Sequence, residues 1–330
     1  MTGRVRWGVL GAAKIALTKV IPAMQASNLT EVVALASRDA AKAQAAAERT
    51  QVRKVYGSYE ELLQDPEVDC IYNPLPNHLH VPWSIRAAEA GKHVLCEKPI
   101  ALTASECREL IAARDRTGVR IGEAFMVRTH PQWLRARELV RSGHIGELRA
   151  MVCAFSYSNR DRQNVRNIAE YGGGGLMDIG CYPIQVSRFL FEQEPVRVSA
   201  AMQFDPEFHV DRLTSGLLEF PSGGHCTFTC STQLIPYQRV HIFGMTGRIE
   251  IEIPFNAPPD RSCRIFVDTK GDLFGGGISV EELPVCDQYT IQGDAFSRAV
   301  LDGGEVPTSL EDSLANMEVI EAMRRAAARK

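Results

Sequence analysis

The pattern of apolar and polar positions divides the chain into two parts. Up to about residue 124, short apolar runs such as Val5–Leu10 alternate with segments of helical spacing such as 103–117. This alternation predicts an α/β domain, a doubly wound parallel sheet with helices on both faces. Beyond residue 125, longer strands follow one another with few helices between them, which predicts an α+β domain with a large, mostly antiparallel, open-faced sheet. We therefore expect domains at 1–124 and 125–330.

Composition agrees with two ordinary globular domains and excludes some partners. The chain has 330 residues, 45% of them hydrophobic and 23% charged, and its net charge is −3. So small a charge gives no field that would attract nucleic acid or an anionic membrane, and we expect neither as a partner. The nine cysteines form no Cys-x-x-Cys pair, which favours reduced thiols and a cytoplasmic location.

A short turn after the first predicted strand has the residues expected of a phosphate-binding loop. It is a variant of the G-x-G-x-x-G pattern, with alanine at the second and third glycine positions. A strand, a tight turn and a helix N-terminus present backbone N–H groups to a dinucleotide pyrophosphate. The alternative is an ordinary βα turn. The cofactor residues predicted here are Gly11, Ala12, Ala13, Lys14 and Ile15.

The end of the second predicted strand indicates which dinucleotide is bound. An NAD-specific fold carries an acid there for the ribose 2′-hydroxyl, whereas this chain has Ser37 and Arg38. A hydroxyl and a guanidinium suit a 2′-phosphate, so we predict NADP(H) in preference to NAD(H). Asp39 is then expected to cap the helix that follows. The alternative for Arg38 is an exposed side chain without a cofactor role.

The stretch Glu97-Lys98-Pro99 follows another buried strand and is the first catalytic candidate. Proline restricts both itself and the residue before it, so Lys98 should be held in an extended conformation at the strand end, where open α/β sheets bind their ligands. The alternative is a charged pair on a surface turn. His78 and His80 lack a carboxylate or thiol partner nearby, and we expect no metal site from them.

The second candidate stretch begins with four glycines at 172–175. Glycine allows the backbone to pass close to a ligand. The helix predicted to follow places Asp178 and Tyr182 four residues apart on one face. Opposite a lysine, a carboxylate and a phenol could handle a proton together. The alternative is a glycine-rich helix start with Asp178 near its N-terminus and Tyr182 in ordinary packing.

These stretches together resemble the Gfo/Idh/MocA oxidoreductases, the family of glucose–fructose oxidoreductase and inositol dehydrogenase. The most specific feature is Glu97-Lys98-Pro99 after Gly-Lys-His-Val, and the resemblance spans nearly the whole chain. It implies an N-terminal Rossmann domain, a lysine, Lys98, that lies beside the nicotinamide and contacts substrate, and a homodimer or homotetramer formed through the open sheet face. Further cofactor-binding residues expected on this basis are Pro76, Asn77, His80, Glu97 and Lys98.

One departure from the family pattern bears on the substrate. Members similar to inositol dehydrogenase have Asp-x-x-x-His, whereas this chain has Asp178-x-x-x-Tyr182, as in the branch of xylose and dihydrodiol dehydrogenases. We expect Tyr182 to exchange the proton, Lys98 to bind the reacting oxygen and favour phenolate, and Asp178 to orient a hydroxyl. Arg128 and Arg166 are candidates for substrate binding or, alternatively, for structural ion pairs.

The expected function is an NADP-dependent oxidoreductase of a sugar or cyclic polyol, most similar to an aldose 1-dehydrogenase of the xylose type. Two alternatives use the same residues: a ketoreductase of a nucleotide-linked or anhydro sugar, and a trans-dihydrodiol dehydrogenase. A non-catalytic NADP-binding regulator is the alternative from another class. The presence of Lys98, Asp178 and Tyr182 in one chain argues against that regulator.

Overall fold

The computed structural model describes residues 3–328, which form two compact units. Unit 1 is the chain up to Met126 together with Asp287–Leu314, and unit 2 is Val127–Cys286 together with the segment from Ala315. The sequence-based division kept 287–314 in the second domain. That segment joins unit 1 because its helix buries Phe296, whose ring lies 5.5 Å from that of Trp7.

Unit 1 alternates strands and helices along the chain, as the apolar pattern predicts. Its strands are β1 Val5–Leu10, β2 Thr30–Ala36, β3 Lys54–Tyr56, β4 Cys70–Asn73, β5 His93–Cys96 and β6 Ile121–Glu123. Its helices are α1 Ile21–Gln25, α2 Ala40–Thr50, α3 Tyr59–Leu63, α4 His80–Glu89, α5 Ala104–Thr117 and, from the C-terminal segment, α8 Gln288–Asp302.

The six strands of unit 1 form one parallel sheet in the order β3-β2-β1-β4-β5-β6. The chain starts at β1, runs to the β3 edge and then returns to β4 on the other side of β1. The strand order therefore reverses between β1 and β4, and the carboxyl ends of such strands are where open α/β sheets bind ligands. Gly11 and Lys98 both follow strands at this edge.

Unit 2 contains the larger sheet. Its strands are β7 Leu148–Ser158, β8 Arg197–Phe204, β9 Asp211–Glu219, β10 His225–Ser231, β11 Gln233–Gly244, β12 Arg248–Ile251, β13 Cys263–Asp268 and β14 Ile278–Leu283. Its helices are α6 Pro131–Arg141 and α7 Cys181–Phe191, and α9 Leu310–Ala327 continues into it from unit 1.

The eight strands have the order β14-β13-β12-β11-β7-β10-β9-β8, and each pair is antiparallel except β7 with β10. Along β7, Met151, Cys153 and Phe155 are buried, whereas Val152 between them is 44% exposed. The sheet thus has one buried and one open face, and the predicted fold class is confirmed. The strands β3 and β14 were not predicted: β3 has only three residues, and β14 includes two adjacent glutamates.

Side-chain caps fix the starts of several helices. Asp39 accepts the amide of Lys42 at α2, as predicted, and Ser58 and Thr103 accept the amides of Glu61 and Glu106 at α3 and α5. Each cap satisfies an N–H that would otherwise have no partner in the first helical turn. No helix between residues 3 and 328 is long and apolar enough to cross a membrane.

The start of the helical segment at Leu176 is held from another strand. A π-helical turn, Leu176–Gly180, runs directly into α7, and Gly175 before it has no side chain to cap it. Instead, the carboxylate of Asp211 at the start of β9 accepts the Leu176 amide at 2.6 Å and the Thr214 hydroxyl at 2.8 Å. Burial raises the pKa of Asp211 from 3.8 to about 6.

Replacing Asp211 by asparagine should therefore change how stability depends on pH. Because the folded-state pKa lies above the unfolded value, the stability that this carboxyl supplies is present below about pH 4 and lost as the pH rises through about 6. Two pKa units correspond to about 3 kcal/mol. Denaturant melts give the free energy of unfolding of the wild type and of Asp211→Asn at each pH. The difference, wild type minus variant, should fall by about 3 kcal/mol between pH 4 and pH 7. A difference that stays constant with pH would contradict the assignment.

Candidate active site

The turn after β1 has the geometry of a phosphate-binding loop. The amide of Gly11 donates to the carbonyl of Ala36 at 2.7 Å, and its φ is +79°, a conformation that favours glycine. A Cβ on Gly11 would lie 2.9 Å from the Leu75 side chain and 3.5 Å from the Tyr59 hydroxyl. Ala12, Ala13, Lys14 and Ile15 then lead into the helical turn Ala16–Val20. A glycine turn followed by a helix N-terminus fits the pyrophosphate of a dinucleotide.

The residues predicted to select the 2′-phosphate lie beside this turn in unit 1. Ser37 is buried, and its hydroxyl accepts the Asp39 amide at 3.3 Å, whereas Arg38 is exposed. Burial raises the pKa of Tyr59, and the neighbouring Arg38 guanidinium opposes that rise. Tyr59 thus lies close both to Gly11 and to Arg38. An exposed guanidinium next to the phosphate turn can reach an anionic group on the ribose.

A buried histidine joins the loop after β4 to the turn after β5. His80 is 1% exposed, with Nδ1 2.7 Å from the Pro99 carbonyl oxygen and Nε2 2.7 Å from that of Leu75. Burial lowers the pKa of His80 to about 4, although the two carbonyl oxygens oppose the shift. The predicted cofactor residues Pro76 and Asn77 follow Leu75 directly, so His80 fixes the path of their loop. Among residues 3–328, no group of three or more His, Cys, Asp or Glu side chains is placed to hold a metal ion.

The Glu97-Lys98-Pro99 turn contains a charged pair with different surroundings for each member. The carboxylate of Glu97 is buried and accepts the Tyr72 hydroxyl at 2.7 Å and the Lys98 amide at 3.3 Å. The Lys98–Pro99 peptide bond is cis. Burial raises the pKa of Tyr289 to about 12, a shift that nearby Glu97 strengthens and nearby Lys98 opposes. Lys98 therefore lies close to a phenol from the C-terminal segment of unit 1.

Asp178 in unit 2 is a nearly buried carboxylate with both oxygens engaged. Arg166 Nε lies 2.9 Å from its Oδ1, and the hydroxyl of Tyr157 donates to its Oδ2. A guanidinium and a phenol on one carboxylate give it charge-assisted hydrogen bonds that fix its direction. Tyr182 follows four residues later, 5% exposed, with its ring centroid 5.8 Å from Phe155 and 5.2 Å from Phe255.

Two glycines of the run before Asp178 lie so close to other protein atoms that no side chain fits there. A Cβ on Gly173 would lie 2.4 Å from the Arg166 carbonyl oxygen, and one on Gly174, where φ is +111°, would lie 2.2 Å from Asp211 Oδ1. From the sequence, we expected this run to let a ligand pass close to the backbone. In the structure the close neighbours are Arg166 and Asp211, because the turn is pressed against both.

The predicted residues are grouped as follows. Unit 1 brings together Glu97, Lys98 and His80, and unit 2 brings together Asp178 and Arg166. Arg128, in unit 2, has its guanidinium 4.4 Å from the ring centroid of Phe189, which gives it a packing partner. Sequence reasoning missed three tyrosines, Tyr72, Tyr157 and Tyr289. Tyr157 is at a position where the alternation along β7 could have indicated a side chain near the helix, but neither Tyr72 nor Tyr289 belongs to a motif.

Residues 5–125 match the family described as "Oxidoreductase family, NAD-binding Rossmann fold", and residues 133–250 match the "GFO/IDH/MocA C-terminal domain". The chain is 49% identical to an uncharacterized oxidoreductase, ORF334, of Rhizobium meliloti, over 98% of this chain and 97% of that protein. It is 37% identical to D-xylose 1-dehydrogenase (NADP(+)) 2 of Haloferax volcanii, over 97% of each.

Among solved structures, the chain is similar to KijD10, a 3-ketoreductase from Actinomadura kijaniata in complex with NADP and TDP-benzene. The TM-score is 0.90 at 31% identity, over 98% of both chains. One of these relatives is named as an NADP(+) enzyme and the other was solved in complex with NADP, which confirms the prediction of NADP(H) as cofactor. The chain therefore belongs to the Gfo/Idh/MocA family of oxidoreductases.

Proposed function

We propose that the chain is an NADP(H)-dependent oxidoreductase of a sugar or cyclic polyol, most similar to an aldose 1-dehydrogenase of the xylose type. The observation that carries this proposal is the carboxylate of Asp178, which contacts Arg166 and Tyr157 and lies one helical turn before Tyr182. An ionised carboxylate beside a phenol suits a substrate that has a second hydroxyl next to the reacting carbon. Similarity over the full length to a xylose dehydrogenase supports the same substrate class.

The proposed chemistry assigns one task to each residue. Tyr182 takes the proton from the substrate hydroxyl, or returns it in the reduction. Lys98 binds the reacting oxygen and, as a cation, favours the phenolate form of the tyrosine. Asp178 accepts a hydrogen bond from a neighbouring substrate hydroxyl and so fixes the orientation of the carbinol carbon. NADP(H), when bound, accepts or supplies the hydride.

The runner-up is a ketoreductase of a nucleotide-linked sugar, because KijD10 is a 3-ketoreductase and is similar over the whole chain. A trans-dihydrodiol dehydrogenase would use the same residues and stays a further alternative. Free thiols, eight of the nine being buried, support a reducing, cytoplasmic location as part of the proposal.

We also propose that the open face of the unit 2 sheet pairs with a second copy of the chain. Val152, Ile235 and Tyr237 on the two central strands β7 and β11 are 44%, 80% and 50% exposed. Large apolar side chains grouped on one surface are typical of an interface. Light scattering of the purified protein tests this, and a monomer at micromolar concentration would exclude it.

Substrate preference is the direct test of the function. With NADP⁺, D-xylose and related aldoses should give reduced nicotinamide, measured by its absorbance, at rates well above those for simple alcohols. The ketoreductase alternative is tested in a parallel assay, with a dTDP-linked 3-keto sugar and NADPH. Turnover only in that second assay would replace the proposal, and turnover in neither would favour the non-catalytic regulator.

Tyr182→Phe should lose kcat about 10²–10⁴-fold, because general acid–base catalysis contributes that much. The Kd of NADP should be unchanged, since the cofactor residues lie in unit 1. Steady-state kinetics and a fluorescence titration with NADP measure the two quantities. Tyr237→Phe, a phenol on the open sheet face, is the matched control and should keep wild-type kcat. A Tyr182→Phe enzyme that turns over normally would remove this residue from the mechanism.

Arg38→Ala should raise the Kd of NADP about 10- to 100-fold, because a charge-assisted hydrogen bond to phosphate contributes about 1.5–3 kcal/mol. The Kd of NAD should hardly change, since NAD lacks the 2′-phosphate. Calorimetric titration of both cofactors measures the ratio. Arg53→Ala, which removes an exposed arginine paired with Glu31, serves as the control. Equal affinity of the wild type for NADP and NAD would refute the role of Arg38.

A further inference from the structure

Asp211 is a buried carboxylate to which the proposed reaction assigns no task. It is 5% exposed and lies at the first position of β9. Both of its hydrogen-bond donors, the Leu176 amide and the Thr214 hydroxyl, reach the same oxygen, Oδ2. Burial of a carboxylate is costly, so a site that keeps one must gain from its contacts.

The contact with Leu176 acts on the segment that carries the candidate catalytic groups. Leu176 is the first residue of the π-helical turn that contains Asp178 and continues into the helix of Tyr182. The turn just before it is tied on the other side by the Gly174 amide, which donates to the Arg166 carbonyl at 2.9 Å. The side chain of Arg166 in turn pairs with Asp178. Asp211 and Arg166 thus contact the same short segment, residues 174–178.

The fit between Asp211 and the glycine turn is close. A Cβ on Gly174 would lie 2.2 Å from Oδ1, and one on Gly175 would lie 3.4 Å from Oδ2. Nearby charged or titratable groups are Arg324 on α9, whose charge opposes the rise in the pKa of Asp211, and the buried thiol of Cys230 on β10, whose pKa Asp211 raises. Neither donates the hydrogen bonds described above.

We propose that Asp211 is a positioning residue for the reaction, which through the Leu176 amide sets where Asp178 and Tyr182 stand relative to the substrate. This inference rests on the proposed function. A displacement of about 1 Å at reacting groups can cost about 10²-fold in rate. Loss of the Asp211 carboxylate, which accepts the hydrogen bond from the Leu176 amide, should therefore reduce turnover. Cofactor binding by unit 1 should stay intact.

Two substitutions at Asp211 separate the acceptor from the charge. Asparagine removes the charge but keeps one oxygen that can accept from both donors. Alanine removes the charge and the acceptor oxygen. With D-xylose and NADP⁺, Asp211→Ala should lose kcat about 10- to 100-fold, with the Kd of NADP within about twofold of wild type. Asp211→Asn should stay within about threefold. Hydrogen exchange of the peptide that covers 173–182 should accelerate in Asp211→Ala and not in Asp211→Asn.

Thr214→Val is the matched control, because it removes the second donor and leaves the Leu176 contact; its kcat should stay near wild type. If Asp211→Ala does not fold, Asp211→Ser carries the test: its shorter side chain withdraws the acceptor from the Leu176 amide and should lose kcat similarly. A folded Asp211→Ala with wild-type kcat, or an Asp211→Asn as impaired as Asp211→Ala, overturns the proposal. Those results would leave the Tyr182→Phe test of the function itself unaffected.

Discussion

A carboxylate removed from water has to be paired, and the geometry around Asp178 follows from that requirement. Its two oxygens take a guanidinium from Arg166 and a phenol from Tyr157, so the negative charge is balanced and its direction is fixed. To bring Arg166 within reach, the chain makes a tight turn at Gly173 and Gly174, where a side chain would collide with protein atoms. The glycine run is thus a consequence of pairing a buried charge.

Unit 1 uses the same principle at a strand end. Glu97 is buried against the Tyr72 hydroxyl, and His80 connects the carbonyl groups of Leu75 and Pro99. These contacts hold two loops that follow neighbouring strands, β4 and β5, at the edge where parallel sheets bind ligands. Lys98 lies between these two loop contacts in sequence, and Tyr289 lies near it on α8, a helix distant along the chain.

The sequence predicted the architecture well because the hydrophobic periods of the two parts differ. Parallel strands buried on both faces appear as continuous apolar runs, such as β1, and half-exposed strands such as β7 alternate. Short motifs marked Gly11, Arg38, Lys98 and Asp178 as candidate site residues, because each lies near a strand or helix end that the pattern indicates. What it could not provide were partners distant along the chain. Asp211 is thirty-five positions from Leu176, and no local pattern connects them.

The tyrosine in place of a histidine constrains how the proposed chemistry can work. A free tyrosine titrates near pH 10, so at neutral pH it carries its proton and is ready to act as an acid. The aromatic neighbours of Tyr182, Phe155 and Phe255, bring no charge that would favour phenolate. Asp178 is itself anionic and would disfavour a second negative charge nearby. In the proposed chemistry, oxidation of a hydroxyl therefore requires a cation that stabilises phenolate, the role proposed for Lys98, whereas reduction of a carbonyl uses the protonated phenol.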